Sequence, residues 1–225
     1  MKQKDTLPYH LYTISGLGMN QRLFERLELP FKSVTHLTWL DPLSMSEHLV
    51  DYCRRLGARI THTENVVILG CSFGGMVAKE IAQLMPIDRF ILISSIKNAH
   101  EKPTFFDWLN FFPVHLAAPP ALQKVTFPLW SPMFGVKTAE EKAFFSSIFF
   151  NESQLFKDWG ITQIAKWKNY LPSENTLHLH GDKDLIFPIE KIKDATVIKG
   201  GNHGMVVTRA DEVSKLIYEF MRKPI

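Results

Sequence analysis

A serine at the centre of a glycine-rich segment has the surroundings of a catalytic nucleophile. Ser72 has Gly70 and Gly74 two positions away on either side. The segment lies between the apolar run 66–69 and a helical pattern, so we predict a tight turn from a strand to a helix at Ser72. Such a strained turn leaves no room for larger side chains two positions away, and it exposes the hydroxyl above the sheet. The N–H groups at the helix start would face developing negative charge. The alternative is a structural turn in which Ser72 only caps the helix.

A serine hydroxyl is a weak nucleophile and needs a base, for which His203 is the candidate. His203 lies in the segment Gly200-Gly201-Asn202-His203-Gly204, after the last predicted strand and before the last predicted helix. Loops at the carboxyl ends of parallel strands hold the sites of open α/β sheets. Because the flanking glycines have no side chains to cover the imidazole, we expect it to project. A carboxylate that orients this ring should come from 180–188, where Asp182 and Asp184 are both candidates.

Strands and helices alternate along the chain in the order needed to position these loops. Apolar runs predict six strands, at 10–15, 34–40, 66–69, 90–93, 176–179 and 196–198. Apolar residues at helical spacing predict helices over 20–29, 49–56, 76–85 and 208–221. We expect capping boxes at Ser44–Glu47 and Thr208–Asp211. This alternation predicts an α/β fold with a mainly parallel six-stranded sheet and helices on both faces.

The interval 97–171 departs from this alternation. It holds sixteen of the 27 aromatic residues, and six prolines between 103 and 132 divide it into short pieces. A long interval without strands is functional or disordered, and its aromatic content is not typical of disorder. We therefore predict a core made of 1–96 and 172–225, with 97–171 inserted as a mostly helical cap. The alternative is a structural subdomain, and about half of the rings should serve packing alone.

Composition excludes several classes of protein. The chain has 225 residues, of which 45% are hydrophobic and 22% are charged, as is usual for one globular unit. It has no apolar run long enough for a membrane span and no apolar segment typical of a secretory signal. Two cysteines are too few for a disulfide scaffold, so we expect a cytoplasmic protein. The net charge of +3 is scattered, which does not suggest binding of nucleic acid. The oligomeric state stays open.

Two other patterns in the sequence could indicate a cofactor site or a metal site. Gly16-x-Gly18 follows a strand, as in a dinucleotide-binding loop, but the third glycine of that pattern is replaced by Gln21. His178 and His180 share one face of a strand, as metal ligands would, yet no acidic or cysteine partner has a recognisable spacing. We therefore predict neither a cofactor nor a metal.

The chain order of serine, acidic loop and histidine resembles the α/β-hydrolase superfamily. In that family the acid commonly lies three residues after a glycine and four before a proline. Asp184 has this spacing from Gly181 and Pro188, whereas Asp182 does not. The resemblance therefore implies the α/β-hydrolase fold, with Ser72, Asp184 and His203 as the catalytic triad.

The resemblance also implies an oxyanion hole made of two backbone amides. One belongs to the residue after the nucleophile, here Phe73, and the other to a loop after an early strand. Leu17 is the matching position in that loop, which begins with Ser15 where the family usually has histidine. We expect Met19 and Met205, which are adjacent to these elements, to help line the substrate pocket.

The function implied is that of a serine hydrolase acting on a small-molecule carboxylic ester or thioester with an apolar group. An acyl-enzyme intermediate would form on Ser72. Haloalkane and epoxide hydrolysis in the superfamily need an aspartate nucleophile, which this chain lacks at that position. The alternatives are a carbon–carbon bond hydrolase or lyase with the same triad, and a ligand receptor with slow turnover.

Overall fold

The computed structural model describes residues 5–112, 116, 125–129, 131–149, 152–171 and 175–224, and six strands among them form one sheet. The sheet order is β2-β1-β3-β4-β5-β6, and all five neighbouring pairs are parallel. The predicted six-stranded α/β fold is thereby confirmed. The strands are β1 Leu7–Ile14, β2 Phe31–His36, β3 Val66–Cys71, β4 Arg89–Ile93, β5 Thr176–Gly181 and β6 Thr196–Ile198.

The centre of the sheet is buried on both faces. Every residue of β3 and β4 is buried, which explains why these strands are continuous apolar runs in the sequence. In register, Cys71 of β3 pairs with Ile93 of β4, which in turn pairs with Leu179 of β5. The carboxyl ends of the three strands therefore meet at one edge, where the loops that follow them come together.

Helices cover both faces of the sheet. Because successive side chains of a strand point to opposite faces, Leu11 and Tyr12 belong to two separate apolar cores. No helix among the described residues has both the length and the apolar character to cross a membrane. The α-helices are α1 Leu49–Gly57, α2 Phe73–Ile81, α3 Phe105–Phe111, α4 Ala139–Ile148, α5 Gln154–Lys166, α6 Met205–Thr208 and α7 Ala210–Met221. Residues 125–129 are also helical, and short 3-10 helices lie at Gln21–Phe24, Ala99–Glu101, Ser131–Phe134 and Ile189–Lys191.

Two predicted helices have other bounds in the structure. The helix expected over 20–29 is only the 3-10 turn Gln21–Phe24, and α2 ends at Ile81, before 85.

Both predicted capping boxes are also wrong. Helix α1 begins at Leu49, and the Glu47 carboxylate accepts a hydrogen bond from the Leu43 N–H at 2.6 Å and pairs with Arg55 at 2.9 Å. Thr208 ends α6 instead of capping α7. The motif of a serine or threonine with a carboxylate three positions later therefore does not form a capping box at either place, because its groups have other contacts.

The described part of 97–171 is built from α3, α4, α5 and shorter helical turns. Among these residues the one strand-like pairing is a bridge between Phe149 and Met19. Several of its rings extend the two cores, including Phe106, Phe145, Phe156 and Trp159, whereas Phe105, Trp108, Phe111 and Phe112 are exposed. The aromatic residues therefore divide between packing and surface. Trp130 and Phe150 lie outside the described residues.

Candidate active site

Ser72 lies on a strained turn between β3 and α2. Its backbone has φ +53° and ψ −122°, a region that residues with a side chain rarely adopt. A Cβ atom on Gly70 would lie 2.5 Å from the Gly75 Cα, and one on Gly74 would lie 2.3 Å from the Ile14 carbonyl oxygen. Only glycine fits at either position, which confirms the predicted reason for this pattern.

Hydrogen bonds to the neighbouring strand hold the turn in place. The Ser72 N–H donates to the Ile93 carbonyl at 3.0 Å, and the Ser72 carbonyl accepts from the Gly75 N–H at 3.0 Å. The Ser95 hydroxyl donates to the same carbonyl at 2.7 Å. Both backbone groups of Ser72 are thus occupied, and its half-buried side chain is left at the sheet edge.

Three side chains from separate loops form one hydrogen-bonded series. His203 Nε2 lies 2.9 Å from the Ser72 Oγ, and His203 Nδ1 lies 2.8 Å from the Asp184 Oδ2. A carboxylate only accepts hydrogen bonds, so Nδ1 carries the proton and Nε2 has the free lone pair. This tautomer can accept the proton of the serine hydroxyl.

The loop after β5 holds Asp184 through its second oxygen. Asp184 Oδ1 accepts hydrogen bonds from the N–H groups of Ile186 at 2.8 Å and Phe187 at 2.9 Å. Burial by itself would raise the pKa of Asp184. The charge and hydrogen bond of His203, with smaller contributions from His180 and the Phe187 N–H, outweigh burial and leave this pKa below its usual value. The carboxylate therefore stays ionised beside the imidazole.

Asp182, the other acid candidate, has a different partner. Its Oδ1 accepts a hydrogen bond from the Gly200 N–H, which ties the loop after β5 to the loop that carries His203. The structure therefore places Asp184 against the imidazole, and Asp182 at the base of the two loops.

His203 is covered, with only 3% of its surface exposed, so the expectation that its ring projects is wrong. The ring lies between Phe134, with centroids 5.4 Å apart, and Phe187, at 5.6 Å. A Cβ atom on Gly204 would lie 2.3 Å from the Phe134 carbonyl oxygen. The glycine beside the histidine therefore admits the backbone of 131–134, which brings a covering ring with it.

Both predicted amide donors belong to backbone next to Ser72. Phe73 is the first residue of α2, where N–H groups have no partner within the helix. Leu17 follows Gly16, whose Cβ position would be 3.5 Å from the Ser72 Cβ. The Met19 N–H donates to the Gly16 carbonyl at 3.1 Å and closes a turn around Leu17. Both backbone segments therefore lie close to Ser72.

The two predicted pocket residues are both buried. The Met19 sulfur lies 3.3 Å from the Cβ position of Gly16, next to the turn around Leu17. Met205 has no exposed surface, and its sulfur lies 3.2 Å from the Cβ position of Gly201. It packs beneath the loop that carries His203. Both pocket assignments stay predictions.

His178 and His180 are buried and hydrogen-bonded to carbonyl groups. His178 Nε2 donates to the Ser95 carbonyl at 2.9 Å, and His180 Nε2 donates to the Phe187 carbonyl at 2.7 Å. Burial lowers the pKa of His178 to about 3 and also lowers that of His180, so both rings are neutral. The described residues contain no group of three or more side chains suited to a metal ion.

Three residues that the sequence did not single out support the site. Ser95 anchors the nucleophile turn, Phe134 covers His203, and the Trp39 indole N–H donates to the Gly16 carbonyl at 3.2 Å. Ser95 follows a strand whose carboxyl end lies at the same sheet edge, so its position in the sequence could have indicated a role at the site. Nothing in the local sequence marks Trp39 or Phe134, because their contacts are long-range.

Comparisons with known proteins agree with this fold. A model of a family described as "Alpha/beta hydrolase family" matches residues 5–216. No curated protein matches the chain significantly. Similar solved structures include a bromoperoxidase from Bacillus anthracis, with a TM-score of 0.70 and 16% identity over 97% of this chain and 94% of that chain. A lipase-esterase related protein from Clostridium acetobutylicum ATCC 824 has a TM-score of 0.68 and 15% identity over 95% of both chains. An epoxide hydrolase from Bacillus megaterium has a TM-score of 0.67 and 11% identity over 97% and 95%. At such identities the likeness is one of fold alone.

Proposed function

The chain belongs to the alpha/beta hydrolase family, and from this premise we propose that it is a serine hydrolase acting on a carboxylic ester or thioester with an apolar group. One observation carries the proposal. The hydroxyl of Ser72, the imidazole of His203 and the carboxylate of Asp184 form a continuous series at 2.9 and 2.8 Å. The hydrogen bonding leaves the imidazole in the tautomer that a general base requires.

The reaction would proceed through an acyl-enzyme. Ser72 Oγ attacks the acyl carbon while His203 Nε2 takes the hydroxyl proton, and Asp184 stabilises the imidazolium that forms. The Leu17 and Phe73 amides donate to the oxyanion of the tetrahedral intermediate. That intermediate collapses to an ester on Ser72, and His203 returns the proton to the departing alcohol or thiol. Water then attacks the ester, with His203 as base, which releases the acid and the free serine. These steps need no metal or organic cofactor.

The substrate class follows from the apolar groups around the triad. We propose that 97–171 acts as a cap, because Phe134 of this interval covers His203 and Phe149 pairs with Met19 beside the nucleophile. Apolar side chains on that side favour an apolar acyl or alcohol group of modest size. Ser72 also distinguishes the chain from hydrolases that open epoxides with an aspartate nucleophile.

The proposal is tested by labelling and turnover together. The protein is treated with a fluorophosphonate probe and then assayed on p-nitrophenyl esters and acyl thioesters from acetyl to dodecanoyl. We expect labelling at Ser72 and turnover that depends on chain length. Ser72→Ala should remove both, with loss of at least about 10³-fold in kcat, while Ser44→Ala at an exposed serine should retain both.

Two outcomes would overturn the proposal. Labelling at another serine, or turnover by Ser72→Ala close to that of the unaltered protein, would exclude the assigned nucleophile. A labelled Ser72 with no turnover of any ester or thioester would favour a receptor.

A further inference from the structure

The peptide bond between Gly16 and Leu17 is held by two hydrogen bonds to its carbonyl. The Gly16 oxygen accepts from the Met19 N–H at 3.1 Å and from the Trp39 indole N–H at 3.2 Å. The peptide is trans, so its carbonyl and the N–H of Leu17 point in opposite directions. Donors that fix the carbonyl therefore also fix the direction of that N–H group.

The two donors constrain the peptide differently. The Met19 N–H belongs to the same turn and moves with it, so this hydrogen bond is kept if the whole turn tilts. Trp39 comes from the segment after β2, 23 residues away along the chain. Its indole therefore ties the turn to the body of the protein and sets the tilt of the Leu17 N–H relative to Ser72.

The same indole also contacts the residue that bears the second proposed donor. The rings of Trp39 and Phe73 are stacked, with centroids 5.6 Å apart and an interplanar angle of 25°. Trp39 is itself immobilised, because it is 8% exposed and packs against Phe156 at 4.9 Å. A single rigid side chain thus contacts both segments that supply an amide to the site.

We propose that Trp39 is a positioning residue that holds the Leu17 and Phe73 amides in the relative geometry that stabilises the oxyanion of acyl transfer. The inference rests on the proposed hydrolase function. Donors that are already aimed at the developing charge need no reorganisation during the reaction, which is why their placement affects the rate. A side chain that only fills the core would affect stability instead.

The test is Trp39→Phe, which keeps an aromatic ring and removes the indole donor. On the best p-nitrophenyl ester we expect kcat to fall by about tenfold or more, less than the roughly 10²–10³-fold seen when an oxyanion donor is removed outright. KM should change by less than about threefold, since the oxyanion-hole amides bind the substrate less strongly in its ground state than in the transition state. Affinity for a trifluoromethyl ketone that forms a tetrahedral adduct with serine should fall by the same factor as kcat.

Trp167→Phe is the matched control. Trp167 is also buried, and its indole donates to the Glu80 carboxylate at 2.7 Å, far along the chain from the turn around Leu17. We expect this variant to lose stability comparably and to keep kcat within about threefold. Thermal unfolding of each variant verifies that it is folded. If Trp39→Phe does not fold, β-(3-benzothienyl)alanine at this position keeps the bicyclic ring without the N–H, and the same expectation applies.

The outcomes separate this inference from the function on which it rests. Failure of the unaltered protein to turn over any ester or thioester overturns the hydrolase proposal, and this inference with it. Two results would overturn the positioning role alone, provided that the unaltered protein turns over normally. In one, the kcat of Trp39→Phe stays within threefold of the unaltered protein. In the other, a rise in KM accounts for the loss of kcat/KM. An equal loss of kcat in Trp167→Phe would also overturn the positioning role.

Discussion

The hydrogen bonds of Asp184 make Asp184→Asn a stringent test of the proposed triad. Asp184 Oδ1 accepts from two backbone N–H groups, at 2.8 and 2.9 Å. An asparagine at this position must keep its oxygen there, because turning its NH₂ toward two donors would lose both hydrogen bonds. The NH₂ group would then face His203 Nδ1.

A donor at that position reverses the tautomer of the base. His203 Nδ1 would have to accept, so the proton would move to Nε2, and Nε2 could no longer take the proton of Ser72. The general-base step would be blocked although the fold and the ring position are nearly unchanged. We expect kcat to fall by about 10³–10⁴-fold, which corresponds to about 4–5 kcal/mol in the activation free energy.

The assay compares kcat and KM of the two loop variants Asp184→Asn and Asp182→Asn on one ester. Asp182 lies two residues away but contacts the Gly200 N–H instead of the imidazole. Asp182→Asn should therefore keep kcat within about tenfold of the unaltered protein. A reversed tautomer is ruled out if Asp184→Asn retains more than about a tenth of the activity, or if Asp182→Asn loses as much activity as Asp184→Asn.

Three further predictions concern stability. The pKa of His178 is lowered to about 3 in the folded protein. The unfolded chain therefore takes up a proton near pH 6.5 that the folded protein does not take up. Because of this difference, stability is lost as the pH falls from about 6.5 toward 3. His178→Gln should reduce the loss of unfolding free energy between pH 7 and 5 by about 2 kcal/mol in denaturant titrations, and an unchanged loss would contradict this. Gly74→Ala places a methyl group 2.3 Å from the Ile14 carbonyl oxygen and should lower the unfolding free energy by about 2 kcal/mol or more, so an unchanged denaturation midpoint would refute the clash. Arg89→Leu removes the buried guanidinium that donates to the carbonyls of residues 220 and 223 at 2.9 and 2.5 Å. This change should lower the free energy of unfolding by about 2 kcal/mol or more, and an unchanged free energy in urea melts would contradict the expectation.

The fold was predictable because its central strands, β3 and β4, are buried on both faces and because helical patterns separate the strands along the chain. The strand at 66–69 was placed correctly but ends two residues later, at Cys71. Helix starts were not predictable from short motifs, since Glu47 satisfies the Leu43 N–H and Arg55 instead of capping α1. Local polar patterns have several possible partners, and tertiary contacts decide among them.

The residues of the candidate triad could be named from the sequence because their types and order are restrictive. The residues alone left Asp182 and Asp184 open, the resemblance to the α/β-hydrolase superfamily implied Asp184, and the structure brings Asp184 and not Asp182 to the imidazole. The supporting residues could not be named, because Trp39 and Phe134 act across 23 and 69 positions of chain. A long-range contact leaves no local pattern in a single sequence.

The covered imidazole changes how the glycines around His203 should be understood. A glycine next to a histidine suggests an exposed ring, yet Gly204 serves to admit the Phe134 carbonyl, and Gly135 lies against Asn202. The interval 97–171 therefore contacts the loop that carries the base on both sides of the imidazole position. Because interiors are closely packed, a change in this interval is transmitted to the ring and to its hydrogen bond with Ser72. Variation in this interval should accordingly alter the rate of the chemical step as well as the choice of substrate.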